Sequence, residues 1–236
     1  MSDVAALADY NDLEALSILS RYRDWIISRF VPYLSGDVVE YGAGIGNVSS
    51  HLLPYAAKLD LVEPLAPLAR RLSDKFAAEP RVRISQTTTE KSVSETDGGS
   101  YDAVVMVNVL EHISDDRHIL GELHRVLRNG GHLCLFVPAH AWLYSKYDGI
   151  VGHHRRYKLS DLRNLVEGAG FEVVDSRYFD ILGVVPWLLA MRMMGRTAIS
   201  PTLGYVYDRL VVPVGRVIET FFSLPLGKNI ILVARK

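Results

Sequence analysis

The run Gly152-His153-His154-Arg155-Arg156-Tyr157 sets two imidazoles, two guanidiniums and a phenol side by side, with a further imidazole upstream at His140. Arginine stays protonated across the physiological range and offers a planar fork of donors that matches a carboxylate or phosphate. Arg155 and Arg156, with His153, His154 and Tyr157, are therefore candidates to orient an anionic oxygen; the competing reading is a surface loop with an arginine paired to Asp148 or Asp161. Histidine titrates near neutrality, so His140, His153 or His154 could instead take the proton of a hydroxyl or phenol. A metal site is not expected, because adjacent histidines point apart and no matching cluster of carboxylates surrounds them in sequence.

A second chemical constellation lies nearer the N-terminus, in Glu40-Tyr41-Gly42-Ala43-Gly44-Ile45-Gly46-Asn47. Glycines at this point let the backbone pass close beneath a ligand without Cβ clashes. A dinucleotide-binding loop spaces its last two glycines by three residues and receives a pyrophosphate. Here the glycines alternate and an acid precedes them. Glu40 would repel a pyrophosphate but attract a ligand carrying an ammonium and a sulfonium.

These groups need elements to position them. Val38–Tyr41, Leu59–Glu63, Val82–Ser85, Tyr101–Val109, His132–Val137, Phe171–Ser176 and Asn229–Ala234 read as strands. Helical spacing or capping signals mark 7–31, 47–55, 65–78, 115–127 and 160–169, with Asn129-Gly130-Gly131 as a helix stop and Ser160 as an N-cap. A polar loop is expected from Gln86 through Gly99. The alternation predicts right-handed βαβ crossovers in an α/β fold covered on both faces. One domain is expected over 1–236: an N-terminal helical cap (1–35), a core (36–176), a helical insertion (177–228) and a last strand (229–236).

Composition narrows the function. The 236 residues carry 26 basic and 27 acidic side chains, and a net charge of −1 gives no electrostatic footprint for nucleic acid. Apolar residues at 49% and charged residues at 22% exclude a disordered chain. A lone Cys134 cannot form an internal disulfide, which points to a reducing, cytoplasmic setting. Asp3, Asp9, Asp12 and Glu14 occupy an N-terminus without an apolar core, unlike a secretory signal. The most apolar stretch, Ile181–Met194, is broken by Gly183, Pro186 and Arg192, so no spanning helix is expected, although contact with a membrane surface is one reading of it. A pocket wall and a dimer contact are the others, leaving monomer or homodimer open.

Together the motifs resemble those of the class I S-adenosylmethionine-dependent methyltransferases. The glycine loop resembles that family's first motif, and Glu63 its ribose-binding acid. Tyr101-Asp102-Ala103-Val104-Val105 with Asn108-Val109-Leu110-Glu111-His112 resembles its fourth-strand motif, and Leu123 to Gly131 the segment that follows, so the likeness spans about 36–176. The resemblance implies a Rossmann-like doubly wound seven-stranded sheet, mostly parallel with an antiparallel last strand. It implies S-adenosylmethionine as cofactor and S-adenosylhomocysteine as product. Glu40, Gly42, Ala43, Gly44, Gly46, Asn47, Glu63, Pro64, Thr87, Asn108, Val109, Leu110 and His112 would hold the cofactor, with Tyr22 and Arg23 closing over its methionine end. The implied function is O-methylation of a small carboxylic acid, acidic and partly apolar, which arrives ionised and needs no base. Methylation of a phenol, hydroxyl, amine or lipid-linked metabolite is the alternative, and a non-catalytic cofactor-binding module a further one.

Overall fold

The computed structural model describes residues 18–198 and 200–236. Seven strands form one sheet: β1 (Asp37–Tyr41), β2 (Lys58–Val62), β3 (Val82–Ser85), β4 (Tyr101–Val107), β5 (Leu127–Pro138), β6 (Glu172–Phe179) and β7 (Asn229–Arg235). Their order is β3-β2-β1-β4-β5-β7-β6. The first five strands pair in parallel, and β7 runs antiparallel to both β5 and β6. The chain leaves β6 and re-enters β7 at the same edge of the sheet, since Phe179 pairs with Asn229. A strand that returns from the edge at which its predecessor left can only be antiparallel.

The ten helices among the described residues were anticipated only in part. They are α1 (Ser20–Phe30), α2 (Ser49–Leu52), α3 (Ala66–Lys75), α4 (Thr89–Glu95), α5 (Asp116–Val126), α6 (Lys146–Ile150), α7 (Leu159–Gly168), α8 (Val184–Trp187), α9 (Pro201–Val206) and α10 (Val212–Phe221). Wider π-type turns continue α8 over Leu188–Met193 and join α9 to α10 over Tyr207–Val211. Period-2 alternation sends Val39, Val104, Leu133 and Leu232 to one face, under α5 and α7, and Val38, Leu59, Val105 and Phe136 to the other, under α1. Burying both faces is what lets β4 and β5 be nearly continuous apolar runs.

Several sequence expectations change. The predicted first helix is described only from Ser20; its 7–17 portion lies outside the described residues. The loop expected after β3 contains α4, started by Thr88, whose Oγ1 accepts the Lys91 N–H. Ser160 is not the N-cap of α7: the helix begins one residue earlier and Ser160 Oγ donates to Asp161 at 2.9 Å. Asn129-Gly130-Gly131 does not stop the helix: α5 ends at Val126, and these residues lie within β5, which begins at Leu127 and pairs with Tyr101 across an irregularity. β4 ends at Val107 because Asn108 turns into the left-handed region (φ 53).

Candidate functional site

Strand order reverses between β1 and β4, and in an open α/β sheet the ligand crevice lies beyond the carboxyl ends at that point. The glycine loop leaves β1 there. Gly42, Gly44 and Gly46 have φ of 69, 56 and 74°, a region that side chains rarely tolerate. A Cβ on Gly42 would come within 2.5 Å of Val109 Cγ2, so the loop is pressed against the turn after β4. The Gly42 and Ala43 N–H groups tie the loop to β2 through the Val62 carbonyl.

Two buried acids frame this cradle. Glu63 accepts the Gly44 N–H on Oε2 at 2.9 Å and the Leu65 N–H on Oε1 at 2.8 Å. Both oxygens are fixed, and each keeps a lone pair for a hydroxyl. Glu40 accepts the Ser49 hydroxyl, at 2.5 Å, and burial pushes its carboxyl up to about 8 despite that bond and Lys75 nearby. A buried acid so poorly compensated is suited to a cation. The donor set therefore fits a nucleoside with vicinal hydroxyls and an ammonium group. Asn108 fixes the opposite wall through its N–H to the Phe136 carbonyl, 2.8 Å. Asn47 and Thr87 are half-buried, Leu110 is buried, and Pro64 is exposed just past Glu63. Tyr22 does not close over this cradle: its hydroxyl donates to Asp180 at 3.0 Å, and its ring packs edge-on against Phe136 and Phe179. Arg23 is half-buried on α1, in the field of Asp208 and Asp24.

Beyond β5 the histidine–arginine block is locked from inside. Arg155 donates to Asp116 at 2.6 Å and to the Ser114 carbonyl at 2.7 Å. Tyr157 donates to the same Asp116 at 3.0 Å. Arg156 is 7% exposed, pairs with Asp148 at 2.8 Å, and stacks over Trp187. Neither guanidinium presents an open fork. His153 engages Asp148 through Nδ1 at 2.9 Å, while His154 is exposed. Burial raises Asp148, but the bonds from His153, Arg156 and Ser145 outweigh it and bring the carboxyl down to about 2.

Glu111 and His112, from the motif after β4, meet His153. Both oxygens of the fully buried Glu111 lack a hydrogen-bond partner, and His153 Nε2 stands 3.8 Å from Oε1. Burial pushes Glu111 up to about 8, which keeps it protonated at neutral pH. Burial, then the neighbouring His153 and His154, push His112 down to about 4. Among the described residues, Glu111, His112 and His153 form the set whose ligand atoms, all within 4.8 Å, could hold a metal ion. The adjacent histidines do diverge, as expected; His153 alone turns inward to two residues far away in sequence.

His140 differs from the rest of the block. It follows β5 with φ of 61°, a strained conformation for a residue bearing a side chain. Its ring stacks on Tyr178 at 4.6 Å, and its Nε2 is buried without a hydrogen-bond partner. Burial, then Arg156, lowers its pKa, so the imidazole is neutral near pH 7.

One cluster escaped the sequence reading. Asp180, in the left-handed region after β6, receives the Tyr22 hydroxyl, the Tyr207 hydroxyl, the Gly183 N–H and the Lys228 ammonium (3.0 Å). Lys228 also lies over the rings of Tyr22, Trp187 and Tyr207. Asp180 and Lys228 stand at the end of β6 and the start of β7, which brings them together. A lone acid and a lone lysine carried no motif; only their flanking strand ends could have drawn attention to them.

The glycine cradle, the two acids and the seven-stranded order define a class I methyltransferase core. The methyltransferase domain family matches residues 17–176, and this chain belongs to that family of S-adenosylmethionine-dependent proteins. It is 31% identical over 146 residues to a probable S-adenosylmethionine-dependent methyltransferase of Mycolicibacterium smegmatis, covering 59% of this chain and 53% of that one. It is 30% identical over 115 residues to an uncharacterised methyltransferase of Mycobacterium tuberculosis, covering 48% of this chain and 55% of the relative. The chain thus spans about half the length of the curated relatives it matches. A methyltransferase of Archaeoglobus fulgidus shares the fold, with a TM-score of 0.61 at 15% identity over 89% of this chain and 91% of that one. No helix among the described residues is long and apolar enough to cross a membrane.

Proposed function

We propose that this chain transfers a methyl group from S-adenosylmethionine to a hydroxyl or phenol oxygen of a small, partly apolar acceptor, with His140 taking the proton. The carrying observation is His140 itself: a neutral imidazole with a buried, unpartnered Nε2, held in a strained backbone at the carboxyl end of β5. Strain of this kind persists where the surroundings over-determine a functional geometry. A carboxylic acid acceptor would need an open cation, whereas Arg155 and Arg156 are spent on Asp116 and Asp148.

The bound cofactor supplies an electrophilic methyl on a sulfonium. The chain's own work is to hold it through Glu40 and Glu63 and to accept one proton at His140 Nε2. S-adenosylmethionine held there would give up its methyl to the acceptor oxygen and leave as the thioether S-adenosylhomocysteine, and the proton of that oxygen would pass to the His140 imidazole. The transfer is read as metal-independent, since holding the cofactor at Glu40 and Glu63 and taking the proton at His140 involve none of Glu111, His112 and His153.

The test is labelled-methyl transfer to a panel of phenols, hydroxy compounds, carboxylic acids and amines, with a chelator present. For an accepted phenol or alcohol, kcat/KM should rise about tenfold per pH unit below the imidazole pKa and then level off. His140→Asn should lower kcat/KM by roughly 10²–10⁴-fold while leaving S-adenosylhomocysteine affinity unchanged. A flat profile between about pH 6 and 9 with a carboxylic acid as the accepted substrate would restore the ionised-acceptor reading.

A further inference from the structure

The insertion between β6 and β7 has a surface that a water-exposed cap does not need. Among the described residues, twelve of the sixteen exposed large hydrophobic side chains lie between Val185 and Phe222, so the apolar exposure is concentrated in this one insertion. Met193, Met194, Leu210, Phe221 and Phe222 are each more than 60% exposed. Contiguous exposure of this kind marks a surface with a partner.

Charge identifies the partner. Between Val184 and Phe222 the sequence has four arginines, Arg192, Arg196, Arg209 and Arg216, and all four are exposed. Its two acids, Asp208 and Glu219, are both buried. Asp208 accepts the N–H groups of Arg21 and Tyr22 at the start of α1, and Glu219 accepts the Ile181 N–H. The outward face of this segment is therefore apolar and purely cationic. A second copy docked through a two-fold axis would set the same arginines against one another with no exposed acid from the segment to answer them. An anionic bilayer answers both features at once, taking the side chains of Leu210 and Phe221 into its interface and the arginines onto its phosphates.

We propose that the face formed by 184–222 docks on an anionic membrane surface, lying in the interface rather than spanning it. The same insertion contributes Trp187 and Tyr207 to the cluster around Lys228 and Asp180. The proposal stands apart from the acceptor assignment, since it is read as binding and not as turnover.

The experiment is co-sedimentation of the full chain with vesicles of phosphatidylcholine alone or with about 30% phosphatidylglycerol, a composition giving a negative surface potential. Binding to the anionic vesicles should exceed that to the neutral ones by at least roughly tenfold and weaken in high salt. Combined Arg192→Gln, Arg196→Gln and Arg216→Gln changes should erase the anionic preference. Leu210→Ser with Phe221→Ser should weaken binding to both vesicle types, and S-adenosylhomocysteine affinity should stay at the wild-type value as the folding control. A wild-type chain that ignores every vesicle overturns the proposal. So does a stable dimer that Leu210→Ser dissociates, which would give the face to a second copy.

Discussion

Glu40 shows how one buried carboxyl can report cofactor binding. Ser49 donates a hydrogen bond to it, yet burial pushes it up to about 8, so near pH 7 and without cofactor Glu40 is protonated. An ammonium group placed beside it favours the carboxylate and lowers that pKa. Binding of S-adenosylhomocysteine at pH 7 should therefore release a proton. Calorimetry in phosphate and in Tris should give enthalpies that differ by the buffers' heats of ionisation, and affinity should rise as pH approaches 8. Glu40→Gln should remove the buffer dependence and cost about 1.5–3 kcal/mol of affinity, the range for a hydrogen bond to a charged group. Equal enthalpies in both buffers for the wild type would mean that the ammonium lies elsewhere.

Asp180, just past the end of β6, links α1, the insertion and the start of β7, because each of them sends a donor to its carboxylate. Asp180→Asn leaves Lys228 facing an amide amid aromatic rings and should destabilise folding by about 3–5 kcal/mol, measured by urea unfolding. Tyr207→Phe removes one of four donors and should cost only about 1 kcal/mol. A loss below about 1 kcal/mol in Asp180→Asn would show that the insertion is anchored by its apolar contacts alone. The contrast between these residues and the glycine loop explains what was legible beforehand. Gly42, Gly44, Gly46 and Glu63 act through local spacing, so strand, loop and acid could be read in order. Arg155 and Arg156 looked available because their partners, Asp116 and Asp148, are chosen by how α5 and α6 dock, which no periodicity encodes. Ser160 failed as a cap for a smaller reason: its hydroxyl finds Asp161, and α7 starts without a side-chain cap.

For the molecule as a whole, the buried ionisable groups impose a pH optimum on stability. His112 is pushed down to about 4, so its unfolded form gains a proton first, and stability falls as pH drops below about 6.5. Burial also lowers His124, His132 and His140, which act in the same direction. Glu40 and Glu111 behave oppositely. Each is pushed up to about 8, so above the ordinary carboxylate range the folded chain holds protons that the unfolded chain has released, and stability falls as pH rises through 8. Above about pH 7.2 the unfolded histidines have largely released their protons, and the acids that burial raises, Glu40 and Glu111 together with Glu63 and Glu219, set the slope. Glu40 and Glu111 each contribute up to about 1.4 kcal/mol per pH unit, the free-energy equivalent of one proton held by the fold alone. Unfolding by urea at about pH 7.2, 7.6 and 8.0 should show stability falling over that interval. Glu111→Gln should make the slope shallower by up to that amount whatever its effect on absolute stability, and saturating S-adenosylhomocysteine should flatten it further by claiming the Glu40 carboxylate. Stability that is level from about pH 7.2 to 8, in the wild type without cofactor, would mean that Glu40 and Glu111 are ionised in the fold and that Glu111 has found a cation other than a proton.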